Sequence, residues 1–457
     1  MANNLSEYYR LPIELQNVTS TEDPASEDGF FAYGAETICY GRCKSGVVPK
    51  LDGVNLPDAS KDVRLIGSEV QLPFNIPNVI ENIRNERYVK SILPIKKRLL
   101  KSPLVREAYY LLRSIIPDAL RWPLQRMYLS DWRTLRFPKW PVDFTVDTLH
   151  GEHLRLLLEA NGLQRVPFIW FWPDGAPNCL ILTHDVETGA GRDFTAALMD
   201  IDSAYGFKAS FQAVPEERYE VPDEYVQQIR DRGFEFNVHD LNHDGHLFSE
   251  RQEFLRRAKK INEYTRKYNS TGFRAGAMYH NTDWYDAFEF SYDMSVSNVA
   301  HMEPQRGGCC TVMPYFIGNI VELPLTMTQD YSVLHMLKMT SIDLWKQEVE
   351  LIGNRNGLMS MIAHPDYLID KKNRSVYETL LAYLQEKVDR DKTWAPLPGE
   401  VDRWWRARSQ MQLVRKGDKW EVQGPDADRA HVAYAAISNG RIEYEVQGVS
   451  LPECRQR

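Results

Sequence analysis

Between residues 165 and 390 the chain alternates short apolar runs with longer amphipathic segments. The apolar runs have the length of strands, and the segments between most of them carry apolar residues at helical spacing. This alternation is typical of a parallel sheet covered by helices, either open or closed into a barrel. We predict seven strands, at residues 178–183, 208–214, 234–240, 272–276, 292–298, 319–326 and 358–365.

The chain on either side of this region follows other patterns. Short β-like runs among Pro, Gly, Asp and Ser come first, followed by a helical, basic stretch. After about residue 400, a helix precedes β-like runs in which Asn439 and Gly440 have the composition of a hairpin turn. We therefore predict an N-terminal α+β accessory domain at 1–165, the barrel at 166–395, and a helix with a small β appendage at 396–457.

Composition and charge restrict the class of protein. The 457 residues are 43% hydrophobic and 26% charged, a balance that supports a sizeable core. The net charge of −8 argues against a nucleic-acid partner, which favours a basic surface. The six cysteines show no disulfide framework, which favours reduced thiols.

The predicted cellular location rests on two features that the sequence does not show, a signal peptide and a membrane-spanning segment. The first residues contain no apolar run of the signal-peptide kind, and the longest strongly apolar run, 166–172, is too short to cross a bilayer. We expect a cytoplasmic protein. The basic helices at 84–126 leave two alternatives open: a packed helical subdomain with a solvated face, or peripheral contact with an anionic surface such as the inner membrane.

Ionisable residues stand where the predicted strands end. Because active-site residues of parallel α/β sheets gather at the carboxyl ends of strands, this placement predicts one site. LILTHDVET (180–188) and VHDLNHDGH (238–246) are the densest examples. The candidates are His184, Asp185, Glu187, His239, Asp240, His243, His246, Arg274, Asp293, Asp330 and His364.

The HDLNH element predicts metal binding. We expect His239 and His243 to share one face of a helical turn, which is a spacing that lets both bind one ion. With a carboxylate from a neighbouring strand end they would form a two-His, one-acid site that leaves positions open for water and substrate. A polar loop with satisfied imidazoles is the alternative. For a second pair, His150 and His153, we expect a solvated or structural role.

The ordered motifs THDVE, HDLNH, FRAG and AHP resemble those of the polysaccharide deacetylases of the NodB-homology type, carbohydrate esterase family 4, over about residues 175–370. The resemblance implies a distorted seven-stranded (β/α) barrel. It also implies a divalent metal ion, most often Zn with Co or Ni as alternatives. The implied reaction removes an N-acetyl group from an amino sugar in a polysaccharide or a glycan precursor.

The resemblance also implies roles for residues. Asp185 would be the base, His364 the acid that protonates the departing amine, and Arg274 the cation that keeps Asp185 ionised. The metal ligands would be Glu187, His239 and His243.

Departures from the family pattern leave alternatives. The usual adjacent Asp pair is Asp185-Val186-Glu187 here, and residues two apart at a strand end face the same side, so the two acids could exchange roles. Asp240 replaces a Ser or Thr and could bond an adjacent loop. Asp293 and Asp330 both remain candidates for orienting His364.

The remaining expectations concern function and minor site residues. We expect His184 to be a positioning or rim group and His246 to be a surface residue. An acetylated amino sugar or glycan is the expected partner, and the oligomeric state stays open. Two other functions remain: hydrolysis of another small amide, or a catalytically silent barrel that serves as a glycan-binding or assembly module.

Overall fold

The structure is a computed structural model that describes residues 4–12, 27–51, 54–67, 69–92, 123, 125–127 and 129–449. Its strands are β1 Gly29–Tyr33, β2 Thr37–Gly41, β3 Arg64–Ile66, β4 Glu69–Gln71, β5 Arg165–Ile169, β6 Cys179–Val186, β7 Ala209–Ala213, β8 Glu235–His239, β9 Gly272–Arg274, β10 Tyr292–Asp293, β11 Tyr315–Ile317, β12 Ile320–Glu322, β13 Leu358–Ile362, β14 Gln412–Lys416, β15 Lys419–Gln423, β16 Val432–Ser438 and β17 Arg441–Val446. Its α-helices include α1 Asn4–Tyr9, α2 Ile76–Arg84, α3 Val89–Ile92, α4 Thr145–Ala160, α5 Gly189–Ala204, α6 Asp223–Asp231, α7 Arg251–Lys267, α8 Asp343–Gly353, α9 Pro365–Leu368, α10 Lys371–Asp391 and α11 Pro398–Gln410.

The central sheet has the strand order β11-β12-β10-β9-β8-β7-β6-β13. Neighbouring strands are parallel except β11, which pairs antiparallel with β12. All seven predicted strands are present, and β11 is an additional strand that the sequence pattern did not indicate. Every residue of β6 is buried, as expected for a strand covered on both faces.

An irregular junction brings the two ends of the parallel array together. The amide of Met327 donates to the carbonyl of Ser360 at 3.0 Å, and Thr326 Oγ1 donates to the carbonyl of Leu358 at 2.6 Å. The chain just after β12 therefore bonds to β13, although no regular strand pairing closes the circle. The predicted distorted seven-stranded (β/α) barrel is confirmed.

The helices cover the barrel with the apolar faces that their periodicity predicted. Leu198 of α5, Ile229 of α6 and Ile261 of α7 are buried in one cluster with the strand residues Leu182 and Phe211. Burial of such side chains is the main favourable term in folding. The helices therefore hold the strands so that their carboxyl ends form one edge.

The chain before the barrel builds a core of its own. Phe30 of β1, Phe74, Val79 of α2 and Leu149 of α4 pack in one cluster, consistent with the predicted α+β character. Most of the basic stretch, residues 93–122, lies outside the described residues, so its contact with a membrane remains a prediction.

The C-terminal elements pack against the barrel. Strand β16 pairs with both β17 and β5, and Trp404 of α11 lies in a cluster with Tyr9 of α1. Asn439 and Gly440 connect β16 to β17 with φ angles of 50° and 75°, so the predicted hairpin turn is confirmed. The three domain boundaries remain predictions.

Two expectations concern the chain as a whole. Across the described ranges, no helix combines the length and apolar character needed to span a bilayer. The cysteines in those ranges, Cys39, Cys43, Cys179, Cys309 and Cys310, are buried and free. This agrees with the prediction of reduced thiols, while Cys454 lies outside the described residues.

Candidate active site

Four strand ends supply the central side chains of the site. Asp185 belongs to β6, His239 ends β8, Arg274 ends β9, and His364 follows β13. All four side chains are buried, and these strands lie side by side in the sheet apart from β7 between β6 and β8. The fold therefore brings these four predicted residues to one edge of the sheet.

Glu187, His239 and His243 form a group that could hold a metal ion. One ligand atom from each lies within 4.8 Å of the others. Glu187 Oε1 is 3.0 Å from His243 Nε2, and the two imidazole rings are 4.8 Å apart. The predicted ligand set is thus brought together by the fold.

The protonation of His239 suits a metal ligand. Its Nδ1 lies 3.0 Å from the carbonyl oxygen of Arg274, so Nδ1 carries the hydrogen and Nε2 presents a lone pair. Burial lowers the pKa of His239 to about 4, which keeps the ring neutral. Within the described chain, the buried Nε2 of His239 makes no hydrogen bond, and that of His243 makes none of good geometry although Glu187 Oε1 approaches it to 3.0 Å. Two such nitrogens and one carboxylate fit Zn, Co or Ni.

The backbone that carries the two imidazoles differs from the prediction. Residues after His239 form bends rather than a helical turn, because Asp240 and His243 adopt φ angles of 57° and 54°. Asp240 accepts a hydrogen bond from the amide of Gly276 at 3.2 Å, as expected for a contact with an adjacent loop. A Cβ at Gly276 would lie 2.4 Å from this carboxylate, so the glycine permits the close approach.

Arg274 holds one oxygen of Asp185. Its guanidinium donates to Asp185 Oδ1 and to Thr183 Oγ1, both at 2.8 Å. Burial alone would raise the pKa of Asp185, but the charges of Arg274 and of the His364 imidazolium outweigh it and lower that pKa. Asp185 is therefore ionised at neutral pH. Its second oxygen lies 3.9 Å from His239 Nε2, on the side of the metal group.

His364 is held by Asp330, which settles the choice between the two candidate aspartates. Asp330 accepts from the backbone amide and from Nδ1 of His364, both at 2.7 Å. Burial works to lower the pKa of His364, but the carboxylate of Asp330 overcomes it and raises the pKa to about 10. Asp293 instead accepts bonds from Tyr285 and Ser295.

Two histidines near the site differ from their expected settings. His184 was expected to be a positioning or rim group, and it does not lie at the rim. It is fully buried, with Nε2 2.9 Å from Asp202 of α5, because neighbouring side chains on β6 face opposite sides, and a positioning role remains a prediction. His246 is half-buried beside Asp244 and lies outside the candidate metal group.

Two further contacts shape the site and were missed from the sequence. Arg218 donates to the carbonyl of His243 at 2.7 Å. Asp366 accepts from the amide of Glu187 at 3.1 Å and from the hydroxyl of Thr188. The signal for Asp366 was its place in AHPD, two residues after His364.

Comparisons with known proteins find likeness in solved structures. No family model matches the sequence, and no curated protein matches it. A protein described as a polysaccharide deacetylase from Mycobacterium smegmatis is 16% identical with a TM-score of 0.43, covering 55% of this chain and 98% of its own. Peptidoglycan deacetylase PdaC from Bacillus subtilis is 12% identical with a TM-score of 0.34, over 52% and 95%. A family 4 carbohydrate esterase from Streptomyces lividans is 10% identical with a TM-score of 0.30, over 48% and 93%.

Proposed function

We propose that this protein is a metal-dependent hydrolase that removes an N-acetyl group from an amino sugar in a polysaccharide or glycan precursor. One observation carries the proposal. A candidate metal group of two histidines and one acid lies between an ionised carboxylate, Asp185, and a protonated imidazole, His364. Amide hydrolysis needs a base on the water side and an acid on the amine side of the scissile bond.

The metal ligands in this proposal are Glu187, His239 and His243. A bound divalent ion polarises the carbonyl and lowers the pKa of water at that place. The neutral His239 presents Nε2 without prior loss of a proton, and the carboxylate of Glu187, whose side chain is 18% exposed, lies beside the two imidazoles.

Asp185 is the base in this proposal. Arg274 occupies its Oδ1, which leaves Oδ2 on the metal side to take a proton from the attacking water. The same pairing keeps the carboxylate ionised in a buried setting. The separation of tasks between its two oxygens favours Asp185 as base and Glu187 as ligand.

His364 is the acid. Its Nδ1 is held by Asp330, so its Nε2 carries the proton that can pass to the departing amine nitrogen. Nε2 lies 3.8 Å from Glu187 Oε1, which places the acid next to the metal group. Asp330 acts as a positioning residue, because it fixes the ring and stabilises the imidazolium.

The substrate class follows from the resemblance of the four motifs. It is tested by measuring acetate release from N-acetylated chito-oligosaccharides by protein loaded with about one Zn, Co or Ni per chain, the stoichiometry expected from the one candidate metal group among the described residues. Acetylated xylan, which carries an ester, is the matched control for the bond. Release from the sugar amide, lost after chelation and restored by metal, is the expected result.

Two results would contradict the proposal. Release from the ester alone would assign a different bond. If the protein binds no metal tightly and releases no acetate when divalent ions are added, the catalytically silent barrel becomes the favoured alternative.

A further inference from the structure

Asp366 ties the loop that carries both acids to the loop that carries His364. Its Oδ2 accepts from the amide of Glu187 at 3.1 Å, and its Oδ1 accepts from the hydroxyl of Thr188. Asp366 itself lies in α9, directly after His364. The two sides of the proposed reaction are therefore joined through one carboxylate.

The carboxylate is seated tightly against the start of α5. A Cβ at Gly191 would lie 2.4 Å from Asp366 Oδ2, so this approach requires glycine. Thr188 is the N-cap of α5 and accepts from the amide of Gly191 at 3.3 Å. A negative charge is favourable at a helix N-terminus, where backbone N–H groups are unpaired.

The position of this carboxylate bears on the metal ligand. Glu187 has one methylene more than the aspartate usual in the resembled family, so its side chain has more rotamers and its carboxylate can occupy more positions. Its backbone amide is held by Asp366, and its Oε1 reaches 3.0 Å from His243 Nε2. Fixing the backbone limits the rotamers that can make this approach.

We propose that Asp366 is a positioning residue that sets the place of the Glu187 carboxylate and thereby the affinity of the metal group. The inference rests on the proposed function. The alternative is that Asp366 only caps a helix and contributes only to stability. The two roles differ in whether metal affinity changes when the carboxylate is altered.

The experiment measures metal affinity rather than turnover. Apo protein is titrated with Co²⁺, whose visible absorption reports ligand geometry, and Zn²⁺ affinity is obtained by competition. In D366N the amide cannot accept both hydrogen bonds, so we expect affinity to fall about 10- to 100-fold, the usual cost of losing a group that orients a ligand. We also expect an altered Co²⁺ spectrum.

The matched control is D370N. Asp370 caps α10 by accepting from the amides of Lys372 and Asn373 at 2.9 and 3.1 Å. This variant loses a capping charge of the same kind and should lower the melting temperature while leaving the Co²⁺ spectrum and affinity unchanged. T188V removes one donor to Asp366 and should weaken metal binding less than D366N does, with T188S restoring it.

The outcomes separate the inference from the proposed function. Wild-type protein that binds no metal would overturn both. Wild-type binding with unchanged affinity in D366N, and a melting temperature lowered as in D370N, would overturn the inference alone. If D366N does not fold, T188V and T188S decide: equal affinity in these two variants overturns the inference, and loss with restoration supports it.

Discussion

Two pairs of histidines in this protein have similar spacing, but only one of the pairs belongs to the candidate metal group. His150 and His153 lie in α4, whereas His239 and His243 lie at the end of β8 and in the loop after it. All four are buried, and each pair has ring nitrogens without a hydrogen-bond partner in the described chain. Burial lowers the pKa of His239 and that of His150 alike.

The surroundings of the two pairs differ. The ring of Tyr8 stacks on His150 at 4.1 Å, and the charge of Arg84 adds to burial in lowering the pKa of His150. Glu187 stands 3.0 Å from His243 instead. Spacing and unpaired nitrogens alone therefore do not identify a metal site. What makes the second pair a candidate metal group is an acid within reach of the imidazoles, just after another strand of the same sheet.

The largest effect on metal content is expected when the second pair of histidines is replaced and the first pair is left intact. H239A/H243A removes two of the three proposed ligands, so metal content should fall from about one ion per chain to near zero, with loss of acetate release. Elemental analysis after gel filtration measures this.

H150A/H153A is the matched control for that variant. It should keep the metal and lose stability instead, by roughly 2–5 kcal/mol as for other truncations of buried side chains. Metal loss in H150A/H153A, with retention in H239A/H243A, would reverse the comparison.

The acids beside the second pair should separate into base and ligand. D185N should lower turnover by about 10²- to 10⁴-fold, the usual contribution of a general base, and retain the metal. E187Q should first weaken metal binding. Turnover at saturating metal and the metal dissociation constant distinguish the two variants, and the opposite pattern would exchange their roles.

The link between Asp330 and His364 predicts a change in pH dependence. Asp330 outweighs burial and raises the pKa of His364 to about 10, so the proton is available until the pH rises through that value. In D330N the pKa falls, and the alkaline limb of kcat/KM should move to lower pH by about one to three units. A pH profile of kcat/KM measures this shift. If the alkaline limb does not move in D330N, His364 is not the general acid.

The smallest effect is expected for a third histidine of the same loop. His246 lies 3.7 Å from Asp244 and belongs to no candidate metal group among the described residues. H246A should keep its metal, with turnover within about twofold of wild type, as for most substitutions away from a site. A larger loss of metal would mean that His246 is also a ligand. The comparison between the two pairs of histidines would then have to include a third residue of this loop.

The sequence predicted the strands better than the loops between them. Parallel strands such as β6 and β13 are apolar runs of strand length that the sequence pattern shows directly, whereas β11 is short and pairs antiparallel at an edge. The alternation along β6 that turns Asp185 inward also turns His184 to the opposite face, against α5.

Other features depend on partners distant in sequence. The left-handed conformations of Asp240 and His243 go with an amide supplied by Gly276, so the local spacing could not distinguish them from a helical turn. The choice between Asp293 and Asp330 depends on which segment lies beside β13, and the irregular junction after β12 decides it.

The most direct test of the central claim is the anomalous scattering of zinc in crystals of the metal-loaded protein. We predict one peak about 2.0–2.2 Å from Nε2 of His239, Nε2 of His243 and an oxygen of Glu187, with Asp185 still paired with Arg274. A peak bound by Asp185 with Glu187 turned away, or a zinc ion at His150 and His153 instead, would contradict the account.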